Sequence, residues 1–80
     1  MAKAKEDFLK KQGFKLNTQW RFKKTIKDGV FHGIHIFAET INGEVEAVSM
    51  KIGNSHQERI FSMIETEEQI LKLIEALQGI

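Results

Sequence analysis

Few residues in this chain have types and spacing suited to chemistry. Two of its three histidines, His32 and His35, are spaced like metal ligands. On a strand, however, residues three apart point to opposite faces, so the pair cannot grip one ion. His35 and Glu39 share a face, but four strand residues hold them roughly 13 Å apart, too far for an acid–base dyad. Ser49, Ser55 and Ser62 lie in no nucleophile-elbow context, and Lys51-Ile52-Gly53-Asn54-Ser55 is too short for a phosphate loop and reads as a strand end plus a turn. Glu39 and Glu46, near an expected hairpin, come nearest to paired carboxylates or a weak divalent-ion site, and they read better as solvated charges. The absence of cysteine removes disulfides and thiolate zinc sites together. The expectation is a protein that is not an enzyme and uses no metal or cofactor.

What remains is charge and aromatic surface. Residues 1 to 27 hold nine cations against two acids, and residues 28 to 80 hold three cations against nine acids, so a net charge of +1 conceals a basic front and an acidic back. Clustered lysines suit an anionic partner, because phosphate approach is favoured and counterions are released. The alternative is self-complementation, the two halves attracting each other inside one fold or across a homodimer.

These groups must be positioned by a small domain. Eighty residues, 41% hydrophobic and 29% charged, support one domain with one modest core, which makes self-association an open expectation. No stretch approaches the roughly 20 apolar residues of a membrane helix, and the start Met-Ala-Lys-Ala-Lys-Glu-Asp lacks a signal-peptide core, so a cytoplasmic address with no membrane partner is expected. Ala2 to Gln12 are good helix formers anchored by Phe8 and Leu9 and ended by Gly13, giving a short amino-terminal helix or arm over 1–13.

From Leu16 the period becomes two: Leu16, Thr18, Trp20, Phe22 and Ile26 on one face, Arg21, Lys23 and Lys27 on the other, with Lys24 a misfit. Asp28-Gly29 and Asn42-Gly43 signal hairpins. Three-residue loops at both turns pair Ile26 with Val30, Phe22 with Ile34, Trp20 with Ile36, Arg21 with His35 and Ile36 with Val48, which gathers one apolar face. After the loop Gly53-Asn54-Ser55-His56, a fourth strand is expected over Arg59 to Ile64. Over 66–78, Thr66 as N-cap, Gln69 as capping-box partner, the stripe Ile70, Leu73, Ile74 and Leu77, and Gly79 with Ile80 as the C-cap predict a helix covering the sheet. The predicted class is α+β: a four-stranded antiparallel meander (16–64), a carboxy-terminal helix on one face, and a short amino-terminal helix or arm.

That register places Arg21, Lys23, Lys27, Phe31, His35, Phe37 and Lys51 on the face away from the last helix, with Ala47 and Ser49 between them. Rings interleaved with cations suit single-stranded DNA or RNA, since bases stack on aromatics and lysines track phosphates without base-specific bonds. Phe31 and Phe37 could instead be covered by the amino-terminal helix or by a second copy. The order of strands, with the junction Ile60-Phe61-Ser62-Met63-Ile64-Glu65-Thr66-Glu67-Glu68-Gln69 running into the final helix, resembles the positive-cofactor type of transcriptional coactivator. That resemblance, covering residues 16 to 78, implies a curved basic sheet that holds single-stranded nucleic acid as a dimer. The expected function is a nucleic-acid-binding module. The alternative is a protein-interaction module, an inhibitor or immunity-type protein of a mobile element, presenting Glu39, Glu44, Glu46, Glu58, Glu65, Glu67 and Glu68 to a basic partner.

Overall fold

The computed structural model describes residues 2–53, 55–61 and 63–79. In chain order the elements are α1 (Glu6–Lys11), β1 (Lys15–Thr18), β2 (Arg21–Thr25), β3 (Ile34–Ile41), β4 (Glu44–Ile52), β5 (Glu58–Phe61) and α2 (Glu67–Leu77). The strands form one antiparallel sheet in the order β1-β2-β3-β4-β5, an α+β meander as expected but with five strands instead of four.

The extra strand comes from a turn inside the stretch expected to run unbroken from Leu16. Gln19 and Trp20 form a two-residue turn, with Thr18 opposite Arg21 and Leu16 opposite Phe22. The alternation of apolar residues continues across this turn, so the period alone hides the break; only the polar run Asn17-Thr18-Gln19 marks it. Trp20 therefore sits at a turn, 55% exposed, and is not packed on Ile36.

The hairpin after β2 also differs. Instead of a tight loop at Asp28-Gly29, residues 27–33 form a longer excursion closed by Ile26 and Ile34: the Ile26 N–H donates to the Ile34 carbonyl at 2.9 Å, and Gly33 N–H donates to the Ile26 carbonyl at 2.7 Å. Val30, expected opposite Ile26, is 86% exposed. Phe22 pairs with Ala38, four residues from the expected partner Ile34, and Thr25, not Arg21, lies opposite His35. At the next hairpin Asn42 and Gly43 both have positive φ, 54° and 81°, as a two-residue type I′ turn requires. This loop is one residue shorter than the three-residue loop expected, and one extra residue at Glu46 adds a second offset, so Ile36 faces Met50 and not Val48. Both displacements are even, and strand side chains alternate with period two, so Phe22, Ile34, His35, Ile36, Phe37 and Val48 keep their expected faces despite the wrong partners, whereas Trp20, Lys27, Val30 and Phe31 leave the ladder.

That face carries the core. Phe22, Ile26, Ile34, Ile36, Ala38 and Val48 from the sheet pack with Ala4, Leu9 and Phe14 from the amino-terminal segment and Ile70, Ile74 and Leu77 from α2. Helix α2 matches its signals: Gln69 N–H donates to Thr66 Oγ1 at 3.3 Å, and Gln69 Oε1 accepts from Thr66 N–H at 3.1 Å. The contact expected from Ile80, the turn position Asn54 and the strand position Ser62 fall outside the described residues, and the last strand ends at Phe61. The helix at the front is shorter than expected because residues 3–5 are extended. Ala4 N–H donates to the Glu65 carbonyl and Ala4 carbonyl accepts from Val45 N–H, each at 2.8 Å, so the arm ties the β3–β4 turn to the start of α2. The misfit Lys24 lies on the core side, and its Nζ donates to the Gln12 carbonyl at 2.8 Å, placing a cation at the carboxy-terminal end of α1.

Candidate nucleic-acid interface

Both helices lie on the core side, so neither covers the opposite face of the sheet. The amino-terminal helix that could have roofed Phe31 and Phe37 contributes Leu9, with Phe8 packed against the same cluster, to the main core instead. On the helix-free face the register aligns Arg21, Lys23 and Thr25 of β2, His35, Phe37 and Glu39 of β3, Ser49 and Lys51 of β4, and Glu58 and Ile60 of β5. Of the expected site residues, Arg21, Lys23, His35, Phe37 and Lys51 are thus together. Lys27 and Phe31 are not on the ladder; they belong to the 27–33 loop at one end of the sheet, because the tight turn that would have aligned them does not form.

Phe37 is only 7% exposed, which removes it as an open stacking surface. The Arg21 guanidinium lies 4.0 Å from its ring centroid, donates to Ser49 Oγ at 3.4 Å and forms an ion pair with Glu58. His35 flanks the ring at 6.3 Å between centroids. Strands β2 and β5 are three spacings apart, about 14 Å in a flat sheet. Glu58 also lies four residues along the sheet from the row of Arg21, Glu39 and Ala47, roughly 13 Å further, so an arginine that reaches it means the sheet curls toward this face. The result is a second, small cluster in which a cation, not a helix, roofs the aromatic ring. Among the described residues Arg21 Nε is buried without a hydrogen-bond partner.

The face is less basic than expected. Glu39 stands opposite Arg21 and Glu58 opposite Lys51, so two carboxylates share it with the cations. Glu58 was the consequential omission: it precedes the expected fourth strand, yet its alternation with Ile60 against Arg59 and Phe61 marks the face. At the other end of the same face, His35 accepts or donates through Nδ1 to Thr25 Oγ1 at 2.8 Å. Burial, then Lys23 and Lys51, hold its pKa below the ordinary histidine value of 6.5. A neutral imidazole beside two ammonium groups is a site where an anion would raise basicity and strengthen its own binding.

His32, placed on a strand in the sequence reading, lies in the 27–33 loop with Nδ1 3.0 Å from the Gly29 carbonyl, away from the ladder that carries His35. Glu46, considered with Glu39 as a carboxylate pair, bonds Lys3 Nζ at 2.7 Å. With Lys3 also 4.0 Å from Glu65 and Arg21 paired to Glu58, the basic front and the acidic back do attract each other within one fold.

No protein family, curated protein or solved structure matches the chain. The likeness to the coactivators thus rests on element order and the strand-to-helix junction, with no diagnostic motif.

Proposed function

We propose that this protein binds single-stranded nucleic acid along the helix-free face of its sheet. The observation that supports this most is the cation–ring pair at its centre: the Arg21 guanidinium lies over the Phe37 ring, 4.0 Å from its centroid, with Lys23, His35 and Lys51 around it and no helix above. A guanidinium held on a ring is itself a planar cationic surface on which a base can stack. Phe31, 43% exposed, supplies a second ring in the 27–33 loop, which also carries Lys27.

Arg21 is engaged by Glu58, so about three phosphate contacts remain for the other cations, giving a salt slope near −2 and roughly a twentyfold loss of affinity when salt rises fourfold. Fluorescence anisotropy with a labelled mixed-sequence oligonucleotide tests this, and weak affinity with little base preference is the expected result. No binding at low salt with about 100 micromolar protein, the weak end of nonspecific association, would sink the reading.

A protein-interaction module is the second reading. It is favoured by the exposure of Ile52, Ile60 and Met63 in and beside the two strands at the β5 edge, and by Glu44, Glu67 and Glu68 on the acidic side. Glu46, Glu58 and Glu65 count less toward it, since Lys3 and Arg21 already engage them. Light scattering across a concentration series distinguishes a second copy from an unrelated partner.

A further inference from the structure

We infer that a separate groove at the β1–β2 edge is a binding site for consecutive phosphate groups. The groove has a volume of about 550 Å³ and is lined by Lys15, Lys23, Lys24 and Lys27, with Asp28 as its one carboxylate among the described residues. A volume of this order suits a small ligand. It meets the helix-free face at Lys15, Lys23 and Thr25, while Lys24 lies on the core side and Lys27 in the loop, and tripolyphosphate binding there needs no oligonucleotide binding by that face.

Three observations carry it. Lys15 stands directly opposite Lys23 in the β1–β2 ladder, and like charges in that relation destabilise a hairpin unless something neutralises them. The internal ion pairs of the described residues engage Lys3, Arg21 and Lys72 and pass these four lysines by. Finally, the Lys24 ammonium is held in place by the Gln12 carbonyl, and Gly13, with φ +90°, leaves room for it: a Cβ there would meet Lys24 Nζ at 3.1 Å. An ammonium fixed beforehand, with three more around one cavity, fits a compact polyanion better than a single carboxylate, because lysine acts on phosphate as a point charge and repulsion among the four is relieved only by several negative charges.

The phosphates could belong to a nucleic acid strand leaving the sheet face over Lys23 or to a free oligophosphate. Titration with inorganic tripolyphosphate at low salt, followed by ¹H–¹⁵N amide shifts, is the primary test, and a second titration with an oligothymidylate separates the sources. Tripolyphosphate is expected to shift the amides of Lys15, Thr25 and Lys27 first, and Lys15→Gln with Lys27→Gln together should weaken it at least tenfold, whereas Lys51→Gln should leave it unchanged. Removing one of two facing charges should also keep or raise the thermal midpoint, so loss of binding by misfolding would be recognised. Equal shifts at Lys3, Lys51 and Lys72, or a double variant that binds as the parent does, would overturn the groove. Tripolyphosphate bound there with no oligothymidylate bound anywhere upholds the groove while defeating the nucleic-acid reading. Oligothymidylate that shifts the groove amides as well identifies the strand as the source.

Discussion

At the scale of single residues, the two phenylalanines first grouped as equivalent have opposite roles. Phe37 is buried under Arg21, so Phe37→Ala should cost about 3–5 kcal/mol by lost transfer and cavity formation, seen as a lower urea midpoint. Phe31 is exposed, so Phe31→Ala should leave that midpoint nearly unchanged while removing about 1–3 kcal/mol of oligonucleotide stacking. If both variants unfold alike, the loop ring is structural and its stacking contact is lost from the proposal. Trp20 gives an optical check, since an exposed indole should emit red and be quenched readily by iodide. His35 sets a pH dependence. Its folded pKa lies below 6.5, so the folded state binds fewer protons than the unfolded chain once pH falls under that value. The His35 contribution is fully present above pH 6.5 and is lost as pH falls through the folded pKa. An NMR titration of the His35 ring should show the midpoint below 6.5, and oligonucleotide phosphates brought near Lys23 and Lys51 should move it upward. A midpoint above 6.5 in the free protein would contradict the burial and the lysine neighbours together.

At the scale of elements, α2 is the best-specified piece, because cap, capping box and apolar stripe agree. Ile74→Ala should cost about 2–5 kcal/mol, a large share of the stability of a domain this small. The 27–33 loop depends on Gly29, whose φ is +86° and whose added Cβ would lie 3.0 Å from the Gln78 carbonyl oxygen. Gly29→Ala should therefore cost about 1–3 kcal/mol through backbone strain and contact with the end of α2. A calorimetric midpoint equal to the parent's would show that the loop does not rest on that helix end.

At the scale of the whole molecule, the sheet is curled, with both helices on its outer side and an arginine clasp on its inner side. The amino-terminal arm closes the structure by bonding through Ala4 to both Glu65 and Val45. Removing residues 1–5 should destabilise the protein by about 2 kcal/mol or more, from two backbone bonds at about 1 kcal/mol each and the buried Ala4 methyl. Equal urea midpoints for the full and shortened chains would show that the arm is dispensable. The clasp couples β2 to the edge strand β5, so Glu58→Gln should free Arg21 and raise oligonucleotide affinity while lowering stability slightly, a combination that a purely structural ion pair would not produce.

Local signals alone determined the fold class, the capped helix α2, the turn at Asn42-Gly43 and, through the period of two, the face of nearly every strand residue that stayed in the sheet. These survive because each depends on neighbours in sequence or on parity, and an even slip of register leaves parity intact. The partners across the strands, the break at Gln19-Trp20 and the long excursion that removed Lys27 and Phe31 from the site were settled only by tertiary packing. Turn length is chosen by which side chains fill the core, and Ile26 closes on Ile34 where the Asp28-Gly29 dipeptide alone would have put Val30. The same holds for the candidate site. Its residue types were legible, but whether a ring faces solvent or lies under a guanidinium depends on the curl that lets Arg21 of β2 reach Glu58 of β5, which no short stretch of sequence encodes.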